Sequence, residues 1–146
     1  ANGKTLSVAE SCTGGMISSL LTSVPGSSAY YLGSVTSYAN SVKTGVLGVE
    51  PEIIERHGAV SSECVARMAE GVRRLTSSDF SVATSGIAGP GGGSDTKPVG
   101  LVWIGVSSNK GTETFKMLFR SDRKRNIERF ASSALNKLRE KLVNEL

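Results

Sequence analysis

The spacing of apolar residues changes period several times along the chain, and each change marks an element. Thr5-Leu6-Ser7-Val8-Ala9 alternates as a short strand; after a polar turn, Met16, Ile17, Leu20, Leu21 and Val24 recur at helical spacing until Pro25-Gly26 stops the pattern. Residues 29–38 are rich in aromatic and β-branched types and predict a second strand. Residues 39–57 read as short helices divided near Gly48, with Pro51 in a first turn where its missing N–H costs nothing. Ser61 is a good N-cap for a helix carrying Val65, Met68, Ala69, Val72 and Leu75 on one stripe. Phe80 to Ser85 predicts a strand and 86–98 a glycine-rich loop. Val99 to Ser107 and Gly111 to Phe119 predict a hairpin turning at 108–110. A last helix starts near Asp122 and buries Ile127, Phe130, Ala131, Ala134, Leu135, Leu138 and Leu142. Strands alternating with helices, plus one hairpin, predict an α/β three-layer α/β/α sandwich with a mixed, mainly parallel sheet in a single domain spanning 1–146.

Composition narrows the class further. With 146 residues, 38% apolar and 21% charged, the chain has the balance of one ordinary globular domain, large enough to fold without disulfides or a structural metal. Disorder, collagen and stapled mini-protein are excluded. No stretch reaches the ~18 consecutive apolar residues of a membrane span, and no secretory leader pattern is present, so a soluble, cytoplasmic protein is expected. Cys12 and Cys64 sit in unlike contexts with no His or Cys at ligand spacing, so reduced thiols and no zinc are expected. The start at Ala1, without methionine and close to a strand, reads as a piece of a longer polypeptide.

The net charge of +4 is local: residues 1–109 hold seven Lys/Arg against eight Asp/Glu, and residues 110–146 ten against five. That basic tail surrounds a helix with an apolar face and carries no interleaved aromatic residues for base stacking, so nucleic-acid binding is not expected as the main function.

Three segments, 10–15, 38–43 and 84–98, have compositions that folding alone does not explain well. In Glu10-Ser11-Cys12-Thr13-Gly14-Gly15, between a strand and a helix, unsatisfied N–H groups at the helix start could hold an anion or oxyanion. The Ser11 hydroxyl could attack a carbonyl whose developing charge falls on the amides of Thr13 to Gly15. The plainer reading is a capped helix with a glycine turn. A serine nucleophile needs a base, and the single histidine, His57, reads as a helix C-terminal residue. Lysine is then the candidate, and residues 5–109 hold only Lys43 and Lys97. Lys43 directly follows Tyr38-Ala39-Asn40-Ser41-Val42. To accept a proton near neutrality its pKa must fall from ~10.4 to near 7, at a cost of about 4 kcal/mol that burial can supply. The alternative is a solvated lysine on a short helix. In the third segment, Ser85 to Gly93, five glycines in nine residues allow a nest of N–H donors for phosphate or a mobile surface loop. Arg123, at the start of the last helix, is either a phosphate clamp or a solvated first-turn residue.

Together these segments resemble the CinA C-terminal domain, or competence-damage-inducible, family over nearly the whole chain. The resemblance is carried by Ala9-Glu10-Ser11-Cys12-Thr13-Gly14-Gly15, Pro25-Gly26-Ser27-Ser28, Tyr38-Ala39-Asn40 with Lys43, Leu47-Gly48-Val49, Gly58-Ala59-Val60-Ser61, Gly86-Ile87-Ala88-Gly89-Pro90-Gly91-Gly92 and Lys97-Pro98-Val99-Gly100. It implies a Ser-Lys amidohydrolase that converts nicotinamide mononucleotide and water to nicotinate mononucleotide and ammonia. Ser11 would be the nucleophile, Lys43 the base and Tyr38 the supporting tyrosine. Glu10, Thr13, Gly14, Gly15, Asn40, Ser85, Gly86, Gly89, Gly91, Gly92 and Arg123 would surround the nucleotide substrate, with the glycine loop and Arg123 receiving its phosphate. The resemblance further implies a homodimer and neither metal nor organic cofactor. Ser85 stands where the family more often has Thr, and Ser121 where it usually has Gly. Family members also occur behind a molybdopterin-binding-like domain or as catalytically silent versions. A nucleotide-binding or competence-related regulatory module is therefore the second expectation.

Overall fold

The computed structural model describes residues 2–146. Its elements follow the predicted order: β1 (Leu6–Glu10), α1 (Met16–Thr22), a 3-10 turn at Ser27–Ala29, β2 (Tyr31–Thr36), α2 (Asn40–Gly45), α3 (Pro51–His57), α4 (Ser62–Thr76), β3 (Phe80–Gly86), β4 (Leu101–Ser108), β5 (Gly111–Leu118) and α5 (Arg123–Glu145). The five strands form one mixed sheet in the order β2-β1-β3-β4-β5. β1 lies parallel to both β2 and β3, and the β3–β4 and β4–β5 pairs are antiparallel. Parallel and antiparallel pairs are therefore equal in number, but four of the five strands point the same way, with β4 reversed.

Strand alternation separates two cores. Leu6, Val8, Phe80 and Val82 face a cluster closed by Ile17 of α1 and Phe130, Ala131, Ala134 and Leu138 of α5. Ala9 and Ala83 face the opposite cluster, closed by Cys64, Val65, Met68 and Val72 of α4, with Leu47 and Val49 alongside. Each fully buried large apolar side chain contributes roughly 1.5–3 kcal/mol relative to exposure. Both long helices are capped by a side chain, α4 by Ser61 as its sequence predicts and α5 by Asp122. Ser61 Oγ accepts from the Cys64 amide at 3.1 Å and Asp122 Oδ1 from the Arg125 amide at 2.9 Å, each worth about 1 kcal/mol. The apolar stripe of α5 is interrupted by two residues that its periodicity does not predict as buried, Asn126 and Lys141. Lys141 pairs with Glu113 at 2.9 Å and Glu145 at 2.8 Å.

The connection from β1 to β2 runs through α1 on one face, and that from β2 to β3 through α4 on the other. The carboxyl end of β1 is thus a topological switch point, where open α/β sheets leave a crevice. The three candidate segments, 10–15, 38–43 and 84–98, lie at or follow the carboxyl ends of β1, β2 and β3, the three adjacent parallel strands.

Candidate active site

Lys43 is 1% exposed and stands at the centre of this sheet end. Its Nζ donates to the carbonyl oxygens of Ser37, at 2.7 Å, and Tyr38, at 3.0 Å. Burial pushes its pKa below the ordinary 10.5. A neutral amine has two N–H bonds and one lone pair, so two carbonyl acceptors use both donors and leave the lone pair for an incoming proton. The solvated alternative considered for this lysine is thereby excluded.

Ser37 ties the lysine to the first turn. Its amide donates to Glu10 O at 2.7 Å and its hydroxyl to the same oxygen at 3.2 Å. That carbonyl belongs to the peptide bond leading into Ser11. Ser11 is 8% exposed. Ser11 is the first residue of the turn after β1, and α2, which carries Lys43, runs into Leu47 and Val49 of the α4 cluster. The hydrogen bonds of Lys43 Nζ go to the two carbonyls and not to the Ser11 hydroxyl.

Two residues expected at the substrate do something else. Glu10 is fully buried, and its Oε1 accepts from Thr13 Oγ1 at 2.6 Å and from the Ile17 amide at 2.9 Å, while Oε2 accepts from the Ser18 amide at 3.0 Å. It closes the N-terminus of α1 from within, because Gly15 at the cap position has no side chain to do so. Thr13 is buried between Glu10 and Thr84, with Thr84 Oγ1 at 2.9 Å. Neither side chain is available to a ligand, and the anion site expected at the helix start is filled by the chain's own carboxylate. Of the turn amides from Ser11 to Gly15 only that of Gly14 donates, to Ser11 O; those of Thr13 and Gly15, like those of Ser11 and Cys12, keep no acceptor among the described residues. Gly14 and Gly15 both adopt positive φ, 61° and 107°, which the sharp turn requires.

Beside this turn lies a cleft of about 210 Å³, bounded by Cys12, Tyr38, Arg123 and the glycine loop, with Gly86, Gly89, Gly91 and Gly92 on its wall. Arg123 bridges its parts: Nη1 donates to Gly89 O at 2.7 Å and Nη2 stands 3.4 Å from the Tyr38 hydroxyl. The Tyr38 phenol is therefore at the exposed mouth, and the supporting tyrosine of the expected site meets Lys43 through its backbone carbonyl and not through its phenol. Asn40, exposed at the start of α2, and Ser85, buried at 1% opposite Trp103, do not reach the cleft. Burial pushes the Cys12 thiol up to about 12, so it stands protonated beside the cleft, and both cysteines are free. Asn126, fully buried behind the glycine loop, was not foreseen; a polar residue on the otherwise apolar α5 stripe was the available signal.

Among the described residues, no group of three or more His, Cys, Asp or Glu side chains could hold a metal ion. No described helix is long and apolar enough to cross a membrane.

Residues 1–142 match the family model of the CinA C-terminal domain. A CinA-like protein of Desulfosudis oleivorans is 54% identical over 140 residues, covering 95% of this chain and 34% of its own length. One from Thermotoga neapolitana is 48% identical over 141 residues, covering 97% and 34%. The chain thus spans about a third of the length of these curated relatives. Among solved structures, competence damage-inducible protein A of Klebsiella pneumoniae superposes with a TM-score of 0.95 at 37% identity, over 99% of this chain and 89% of that one. The competence/damage inducible protein CihA of Agrobacterium tumefaciens gives 0.91 at 39% identity, over 93% and 84%.

Proposed function

This chain belongs to the CinA C-terminal domain family, and from that membership and the geometry of the sheet end we propose that it is a nicotinamide mononucleotide amidohydrolase of the Ser-Lys type. The observation that carries the reading is Lys43: an almost fully buried lysine with two carbonyl acceptors, next to the peptide that introduces Ser11. A buried lysine whose pKa is lowered in this way is suited to take a proton from an alcohol, which supports the reading.

In the proposed mechanism Ser11 Oγ attacks the carboxamide carbon as its proton passes to the neutral Lys43 amine. The oxyanion receives hydrogen bonds from the Thr13 and Gly15 amides. The Lys43 ammonium then protonates the leaving nitrogen, the C–N bond breaks and ammonia departs, leaving a nicotinyl ester on Ser11. Water attacks the ester, giving its proton to Lys43, which returns it to Ser11 Oγ as nicotinate mononucleotide is released. Glycine loop and Arg123 would receive the phosphate. At about 210 Å³ the cleft is smaller than the roughly 300–1,000 Å³ typical of whole ligands, so it suits the phosphate end rather than the entire nucleotide.

The test is ammonia release from nicotinamide mononucleotide, followed for the wild type and Ser11→Ala, with melting curves for both. Release by the wild type alone, at equal stability, supports the proposal. Tight binding without ammonia would point instead to a silent nucleotide-binding module.

A further inference from the structure

Asn126, in the first turn of α5, is fully buried, and its Nδ2 donates to Ala88 O and to Ser121 O, each at 3.0 Å. Its Oδ1 is also buried and has no partner. An amide that leaves its own oxygen unpaired is a poor filler for a helix stripe, so packing alone does not account for it. Three residues earlier Arg123 takes the next carbonyl, Gly89 O, at 2.7 Å. The first turn of α5 thus draws two successive loop carbonyls towards itself.

The consequence follows from peptide geometry. The Ala88–Gly89 bond is trans, so its N–H points opposite to its C=O. With Ala88 O held at Asn126, the Gly89 N–H is turned away from α5. Gly89 is on the cleft wall, and its amide has no acceptor among the described residues. Its φ of 88° and the collision a Cβ would make with Val99 keep the position glycine. An unpaired buried amide beside a guanidinium is a donor set for a phosphoryl oxygen.

We propose that Asn126 is a positioning residue that aims the Gly89 amide at the phosphate of a phosphomonoester in the cleft. This rests on the reading of the site given under the proposed function, and two measurements keep the two separable. The first is an assigned amide NMR titration of the full chain with inorganic phosphate. The Gly89 resonance moves in the wild type, and Asn126→Leu needs at least tenfold more phosphate for the same shift. Asn126→Ala serves as a second variant of different volume, with melting curves for each. A Gly89 resonance that stays still in the wild type, or titrates equally in a folded variant, overturns the inference.

The second compares nicotinamide mononucleotide with nicotinamide riboside, which lacks the phosphate. The variants raise KM for the mononucleotide about tenfold with kcat retained, and leave kcat/KM for the riboside unchanged. Equal losses on both substrates would mark a merely structural role and overturn the inference. Phosphate binding as described in a wild type that releases no ammonia would remove the amidohydrolase reading and leave Asn126 in its role.

Discussion

Lys43 Nζ lies 2.7 Å from Ser37 O, and the amide of that same Ser37 lies 2.7 Å from Glu10 O. One residue at the end of β2 therefore fixes both the buried amine and the peptide that introduces Ser11. The lysine is held by backbone, whose carbonyls stabilise its N–H bonds without a carboxylate to keep it charged.

This makes Lys43 the source of a pH dependence with a definite sign. Its folded pKa lies below 10.5, so between the folded value and 10.5 the unfolded chain binds more protons than the native one. Lys43 therefore contributes stability that grows with pH across that window, opposed there by the raised Cys12 and Cys64 thiols, so the stability difference between wild type and Lys43→Met should grow with pH; urea unfolding of both at several pH values measures it. Ammonia release climbs as Lys43 loses its proton. Lys43→Arg stays inactive because guanidinium does not give its proton up. Turnover of the arginine variant near wild-type rate would exclude Lys43 as the base.

Cys12 adjoins Ser11 and lines the cleft, which makes it the rival nucleophile. With its thiol pushed up to about 12 by burial, about one part in 10⁵ is thiolate at pH 7. Cys12→Ala should retain ammonia release while Ser11→Ala abolishes it, and iodoacetamide should leave the native wild type active. The reverse pattern would transfer the nucleophile's role to the thiol.

Tyr38 supplies Lys43 with a backbone carbonyl, while its phenol meets Arg123 at 3.4 Å. Tyr38→Phe preserves the carbonyl, so kcat for nicotinamide mononucleotide should stay within about threefold of wild type, with any change confined to KM. A loss of a hundredfold or more in kcat at unchanged KM would reinstate the phenol as part of the proton path.

The periodic part of the fold was legible from sequence because each element reports its own packing: the alternation in β1 and β3, the stripe of α4 and the caps Ser61 and Asp122 are local patterns. The candidate site was legible only where chemistry and segment coincide, as for Ser11, Lys43, the glycine loop and Arg123. Hydrogen bonds that span 27 to 38 residues, such as Ser37 to Glu10 and Asn126 to Ala88, leave no local trace. Glu10 carries a signal in the sequence as well: Leu6, Val8 and Glu10 share one strand face, and a carboxylate continuing an apolar face must find its donors inside the protein.

The buried Glu10 carboxylate carries its own test. With both Glu10 oxygens occupied by Thr13, Ile17 and Ser18, Glu10→Gln turns an amide NH₂ group towards at least one N–H or O–H donor that has no other acceptor. One buried donor left unpaired costs about 1–3 kcal/mol, which should appear as a lower urea midpoint at unchanged m value. Glu10→Ala, which orphans the Ile17 and Ser18 amides and opens a void, should cost more. Because the carboxylate does not face the cleft, KM of the glutamine variant for nicotinamide mononucleotide should remain within about twofold of wild type. Unchanged stability together with a raised KM would mean that the carboxylate touches substrate after all, and that α1 finds its N-terminal acceptors elsewhere.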